Sequence, residues 1–317
     1  ESVHVEGRPG ARYWIHRPAT ITGHPAVDDA LSSYPLLVFV PHGRDPSQTP
    51  LVLALQGLAA PWQWNAFLVP TLLDMGIACA LFDTPLAGER GLIRDESGDV
   101  IRQVIPLAQR GVALTTPMVL AMADAVMADL SLVKDLLRDR HGLRDARLAL
   151  FGVSLGCLLT GYAFTREGLG QRLLGAIGHP DLRLFARSYA PFLTPLLVSL
   201  PGRAVGKLLS LFLGRFPGTA LAFLSVLNDL CRGSEGCTRA NPMTYADRVG
   251  DSRRVRFLVG QEDHLVRPVD AAACAGRFRD GACYVVPGLG HGTTTTGPSF
   301  VEHVRTFLGT QLGDWRW

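Results

Sequence analysis

Three side chains stand out in the 317-residue chain by type and spacing: Ser154, Asp263 and His291. Ser154 sits in Gly152-Val-Ser-Leu-Gly156, directly after the apolar run Arg147–Phe151 and directly before a second apolar run, Leu155–Thr165. A strand, a sharp turn and a helix are predicted there, an arrangement that pushes a serine hydroxyl into the open. The helix start adds partial positive charge and unbonded N–H groups where an oxyanion would develop. A serine is a poor nucleophile until a base within hydrogen-bond reach takes its proton. His291 is the base predicted for this role, in the glycine-rich loop Pro287-Gly-Leu-Gly-His-Gly292. His179, His264 and His303 are competitors, the last within a predicted helix. The base needs a carboxylate to hold its tautomer. Asp263, in Gly260-Gln-Glu-Asp-His-Leu-Val266, fills that place, with Glu262 and Asp181 as alternatives. Together these groups imply acyl transfer through a covalent acyl-enzyme.

The elements that must position them follow from the hydrophobic pattern. Strands are expected at Arg12–Ile15, Leu36–Val40, Leu51–Leu55, Ile77–Phe82, Arg147–Phe151, Leu173–Ile177, Val255–Val259 and Cys283–Val286. Helices are expected at Trp62–Met75, at about Pro117–His141 ended by Gly142, at Leu155–Thr165, around Val269–Phe278 and at Ser299–Leu312. Alternation of this kind predicts an α/β chain: a mostly parallel central sheet with helices on both faces. Reacting groups then gather at the carboxyl ends of the strands, where each candidate residue falls. His42-Gly43 reads as a hairpin turn into strand Leu51–Leu55. Residues 1–180 and 249–317 form the expected core. Residues 181–248 read as an inserted segment of short helices, either a lid over the site or extra core packing, because so long a connection is rare in such sheets.

Composition excludes several classes. With 47% hydrophobic and 19% charged residues the chain is globular. A net charge of +3 and scattered arginines give no basis for a nucleic-acid partner. No apolar stretch is free enough of charge and proline for stable membrane insertion, so a soluble protein, cytoplasmic or secreted, is expected. Six cysteines are too few for a disulfide scaffold, although Cys231 and Cys237 are close enough in sequence to pair. No metal-ligand spacing is present and no cofactor is called for. The oligomeric state is open.

GVSLG, GQEDHLV and PGLGHG, in this order on strand ends, resemble the α/β-hydrolase superfamily over about residues 36–312, and within it the bacterial carboxylesterase-like serine enzymes. The resemblance implies that the backbone N–H groups of Leu58 and Leu155 form an oxyanion hole. Gln56 stands where the superfamily customarily has histidine. Gln56, Gly57 and Trp62 are expected at the substrate, with Trp62, Trp64 and Phe67 either lining an apolar pocket or anchoring the core. Serine at the turn separates this chain from the relatives that place aspartate there. The loop Asp83-Thr-Pro-Leu-Ala-Gly-Glu-Arg90 is similar to one in some bacterial esterases and peptidase-like hydrolases. It implies either a tie from Arg90 to a carboxylate or a surface ion pair. The expected substrate is a small ester of short to medium acyl chain. A thioesterase, lipase or peptidase-like enzyme on the same residues, or a non-catalytic binding module, are the alternatives.

Overall fold

The computed structural model describes residues 1–57, 59–94, 100–113, 115–188, 229, 235–250, 253–291 and 297–313. Nine strands form one sheet: β1 (Ser2–Val5), β2 (Arg8–His16), β3 (Ser33–Phe39), β4 (Leu51–Leu55), β5 (Ala78–Phe82), β6 (Leu148–Val153), β7 (Arg172–Ala176), β8 (Arg254–Gly260) and β9 (Ala282–Val286). Their spatial order is β1-β2-β3-β5-β4-β6-β7-β8-β9. The first three strands are antiparallel to their neighbours, and every pair from β5 to β9 is parallel.

The central strands are apolar at every position because both sheet faces are covered. Alternate side chains go to opposite faces. Leu51, Leu53, Leu55, Leu148, Leu150 and Phe82 point into one core, and Val52, Ala54, Ala149, Phe151 and Leu81 into the other. The first core is closed by helices α4 (Thr116–His141), α5 (Leu155–Thr165) and α7 (Pro268–Ala275). The second is closed by α2 (Leu68–Asp74) and α8 (Pro298–Gly313). Three shorter helices, α1 (Pro25–Leu31), α3 (Val100–Gln109) and α6 (Glu235–Ala240), add to these, and residues 182–188 are helical as well. Helix α4 ends where the sequence places its stop: Gly142 caps it at φ +69°, a conformation that glycine adopts without a Cβ penalty. Among the described residues α4 alone has the length and hydropathy of a membrane span, but it carries buried Asp129 and packs on the sheet.

Two local expectations are corrected. His42-Gly43 is not a hairpin turn, since β3 pairs with β5 and the connection passes over that strand to reach β4. Trp62–Met75 is not one helix: a 3₁₀ turn, Trp62–Asn65, precedes α2. Strand β1 and helices α1 and α3 have no counterpart among the expected elements. The greater part of the expected insertion, residues 189–228 and 230–234, lies outside the described residues, as does Cys231.

The buried face of α4 contains an ionic knot. Asp129 accepts from Arg90 Nη1 at 2.5 Å and from Arg17 Nε at 2.5 Å, and the Arg90 and Asp129 side chains are 0% exposed. Arg90 also donates to the Leu31 carbonyl and stacks over the Tyr34 ring. The carboxylate tie is therefore interior, and the surface-pair alternative is excluded. Removing one partner of a buried pair leaves an uncompensated charge, at about 3–5 kcal/mol. Asp129→Ala is expected to lose roughly that much stability in urea unfolding. The double change Asp129→Leu with Arg90→Met should recover a large part of it, because no buried charge of that pair then remains.

Candidate active site

Strand order reverses at β4: the chain moves to β5 on one side and to β6 on the other. Such a switch point opens a crevice at the carboxyl ends of the strands. The register Leu55↔Gly152 brings Gln56-Gly57 beside the turn that carries Ser154. On the other side of β4, β5 delivers Asp83 to the same end.

Ser154 occupies a strained turn. Its φ of +52° and ψ of −117° are unusual for any residue with a Cβ. The turn is held by Ser154 N–H donating to the Ala176 carbonyl and by the helix bond from Cys157 N–H to the Ser154 carbonyl. A Cβ on Gly152 would collide with the Gly156 and Cys157 backbone, and one on Gly156 with the Leu55 carbonyl. Both glycines are therefore required by close approach. Ser154 is 8% exposed, lodged in the protein but not sealed off.

His291 must come back from β9, three strands away from β6, a distance of roughly 14 Å at sheet spacing. The five residues after Val286 can span about 17 Å when extended, more than the gap, and the loop turns at Pro287-Gly288, where Gly288 has φ +73°. It is stitched to the β8 loop by Gln261 N–H to the Val286 carbonyl and Glu262 N–H to the Leu289 carbonyl. Gly260 has no room for a Cβ against Leu289. The result is a continuous relay. Ser154 Oγ lies 2.9 Å from His291 Nε2, and His291 Nδ1 lies 2.8 Å from Asp263 Oδ2. The other carboxylate oxygen of Asp263 accepts the N–H groups of Leu265 and Val266 at 2.9 and 2.7 Å, which fixes its orientation.

The competitors are committed elsewhere. Asp181 accepts from the N–H groups of Arg183 and Leu184 and from Asn241, capping the helical residues that follow it. Glu262 and His264 are exposed. His179 is buried, takes the Asp181 N–H on Nδ1, and is biased by burial toward its neutral form. His303 sits within α8.

Leu155 is the first residue of α5, so its N–H has no carbonyl one turn back. Leu58 lies outside the described residues. Gly57 adjoins Ser154: a Cβ there would be 3.5 Å from Ser154 Cβ. Gln56 and Trp62, expected at the substrate, are instead turned inward at 1% and 8% exposure. Gln56 Nε2 donates to the Phe82 carbonyl and to Asp83 Oδ1, and the Trp62 ring packs in the second core with its indole N–H on Glu89. Asp83, not singled out by residue type or spacing, is the buried partner of both. Its Oδ1 accepts from Gln56 Nε2 at 3.1 Å and Trp62 N–H at 2.7 Å, and its Oδ2 accepts from Glu89 N–H at 2.9 Å. The signal was Gly88, whose φ of +49° and absent Cβ make room for that carboxyl.

No protein-family model and no curated protein matches the chain. Solved structures do, and they give it the α/β-hydrolase fold. An acylaminoacyl peptidase from Pyrococcus horikoshii superposes with a TM-score of 0.60 at 12% identity, covering 97% of this chain. The chain spans only 43% of that peptidase. A cold-adapted esterase from an Arctic intertidal metagenomic library has a TM-score of 0.51 at 16% identity, covering 98% of this chain and 92% of the esterase. A thermophilic esterase from Thermogutta terrifontis has a TM-score of 0.51 at 16% identity, covering 95% and 98% respectively.

Two measurements check the local physics. Gly156→Ala should cost about 1–3 kcal/mol through overpacking, seen as a lower unfolding midpoint, and should blunt labelling of Ser154 by a fluorophosphonate. Burial pushes the Asp83 carboxyl up to about 7, partly offset by the N–H groups of Glu89 and Trp62. A folded-state value above the unfolded one gives stability that is present at low pH and lost as pH rises through about 7. Wild type should therefore gain stability relative to Asp83→Asn between about pH 8 and about pH 5, measured by urea unfolding at each pH.

Proposed function

We propose that this chain is a serine hydrolase that cleaves small carboxylic esters of short to medium acyl chain through an acyl-enzyme on Ser154. The observation that carries the reading is the unbroken relay from Ser154 Oγ through His291 to Asp263, at 2.9 and 2.8 Å. In this mechanism His291 Nε2 takes the Ser154 proton as Oγ attacks the ester carbonyl. Asp263 holds the Nδ1–H and stabilises the imidazolium. The developing oxyanion is met by the Leu155 N–H at the start of α5, and we assign Leu58 N–H as the second donor. His291 then returns the proton to the leaving alkoxide. A water, deprotonated by the same imidazole, releases the acid and restores Ser154. The likeness to two esterases supports ester cleavage. Residues 181–248 are proposed as a cap over the site.

The likeness to an acylaminoacyl peptidase favours a second reading, amide cleavage on the same residues. Comparing p-nitrophenyl esters from acetate to decanoate with acylaminoacyl and free aminoacyl anilides separates the two. Esters of short and medium chain are expected to turn over fastest; activity confined to the anilides would replace the ester reading. Ser154→Ala should abolish turnover while the fold is kept, and Asp263→Asn should lower kcat by roughly 10⁴-fold, as tautomer loss does in other triads. Failure of a fluorophosphonate to label Ser154 in the wild type would point to a non-catalytic module.

A further inference from the structure

We propose that Asp83 is a positioning residue for the reaction at Ser154, because its carboxylate holds the segment from Gln56 to Trp62 against the nucleophile. The inference rests on the serine-hydrolase reading above. That segment leaves β4 and reaches the Trp62 turn with one described backbone bond within it, Ala60 N–H to the Gly57 carbonyl at 3.2 Å. Ala59 is held at φ +56°, a left-handed conformation that costs a residue with a Cβ of order 1–3 kcal/mol. Such a conformation persists only where the surroundings over-determine it. Here the restraint comes from Asp83, which grips both ends: Gln56 through its side-chain amide and Trp62 through its backbone N–H. Between these grips Gly57 lies against Ser154.

The other carboxylate oxygen takes the Glu89 N–H, so Asp83 joins the Gln56–Trp62 segment to the loop Asp83–Arg90. That loop is anchored in turn. Glu89 pairs with Arg12 at 2.6 Å and receives the Trp62 indole N–H, and Arg90 is locked to Asp129 on α4. The carboxylate is thus a bridge from a rigid ionic framework to the nucleophile's neighbour.

All three polar contacts to Asp83 are N–H donors, a set that an ionised carboxylate satisfies in full. An asparagine there keeps one acceptor oxygen and turns an NH₂ toward a donor, either Glu89 N–H or the Gln56–Trp62 pair. The charged groups facing Asp83 are Glu89, which disfavours its ionisation, and Arg90, which favours it. From the β4 side Gln56 and Trp62 are neutral. Because a shift of about 1 Å near the reacting atoms can cost about 10²-fold, the loss should fall on kcat.

The experiment measures kcat and KM for a p-nitrophenyl ester from about pH 5 to about pH 9 in wild type, Asp83→Asn, Gln56→Met and Asp129→Asn, with unfolding midpoints for each. Asp83→Asn is expected to lower kcat by about 10- to 100-fold with KM changed less than about threefold. The wild-type acid limb should be steeper than one ionisation allows, and should relax to a single ionisation in Asp83→Asn. Gln56→Met, which removes one donor to the carboxylate, should move that limb to higher pH. Asp129→Asn should lower stability and lower kcat by less than Asp83→Asn, with the limb unmoved, since it loosens the framework and leaves the three donors of Asp83 in place. Wild-type kcat and an unaltered limb in Asp83→Asn would overturn the proposal, as would an equal fall in kcat in Asp129→Asn. If Asp83→Asn fails to fold, an unmoved limb in Gln56→Met overturns it. An inert wild type, unlabelled at Ser154, instead refutes the hydrolase reading itself.

Discussion

The architecture answers to one constraint: an imidazole arriving from β9 has to touch a hydroxyl arriving from β6 with two strands between them. Parallel pairing puts both loops at the same end of the sheet, but pairing alone leaves them too far apart. The loop after β9 closes the gap by leaning back across β8. It is held in that posture by the two backbone bonds to residues 261 and 262 and by the glycine at 260. Asp263 comes from the strand being crossed, so the carboxylate lies beneath the imidazole it holds. The order of serine, acid and histidine along the chain is the order in which the strands carry them outward from the switch point.

The turn at Ser154 shows where strain is stored and what balances it. A positive φ at a serine is unfavourable, and it survives because neighbouring elements leave no alternative. β7 accepts the serine N–H, β4 crowds the glycine at 156, and the first turn of α5 begins at once. Ile177, at φ +44°, and Ala59, at φ +56°, are strained in the same sense, and both flank that turn in space or sequence register. With Leu86, at φ +66° after β5, four residues with a Cβ lie in the left-handed region, all following central strands at their carboxyl ends. The other end shows no comparable cluster among its described residues.

Much of this was legible in the chain. The buried strands announced themselves as uninterrupted apolar runs, and Leu51–Leu55 and Leu155–Thr165 match their sequence-predicted limits residue for residue. The positions of Ser154, Asp263 and His291 after strands followed from the same pattern. What remained illegible has physical causes. The connection at 40–50 looks like a hairpin turn because glycine and proline mark any reversal, whereas strand adjacency is decided by β5, which arrives later in the chain. Helix α3 was hidden by Pro106 within it. The 3₁₀ turn at Trp62 shares the hydrophobic spacing of the helix after it.

Gln56, Trp62 and Asp83 illustrate a subtler limit. Position next to the Ser154 turn suggests contact with substrate for Gln56 and Trp62, yet both are turned inward and share buried Asp83 as a partner. Sequence proximity reports which loop a residue belongs to; only the partner of its polar atoms reports which way it faces. The Gln56 amide nitrogen and the Trp62 N–H converge on one buried carboxylate oxygen, so both donors are spent on Asp83 and the Phe82 carbonyl. The same carboxylate is disfavoured by burial and favoured by its donors, so its charge is balanced near neutrality while its geometry is not free to vary. A buried acid of this kind is costly to keep, and its three donors all come from the segments that follow β4 and β5. On the role proposed for Asp83, that cost ties the placement of Gly57 beside Ser154 to a single ionisable group.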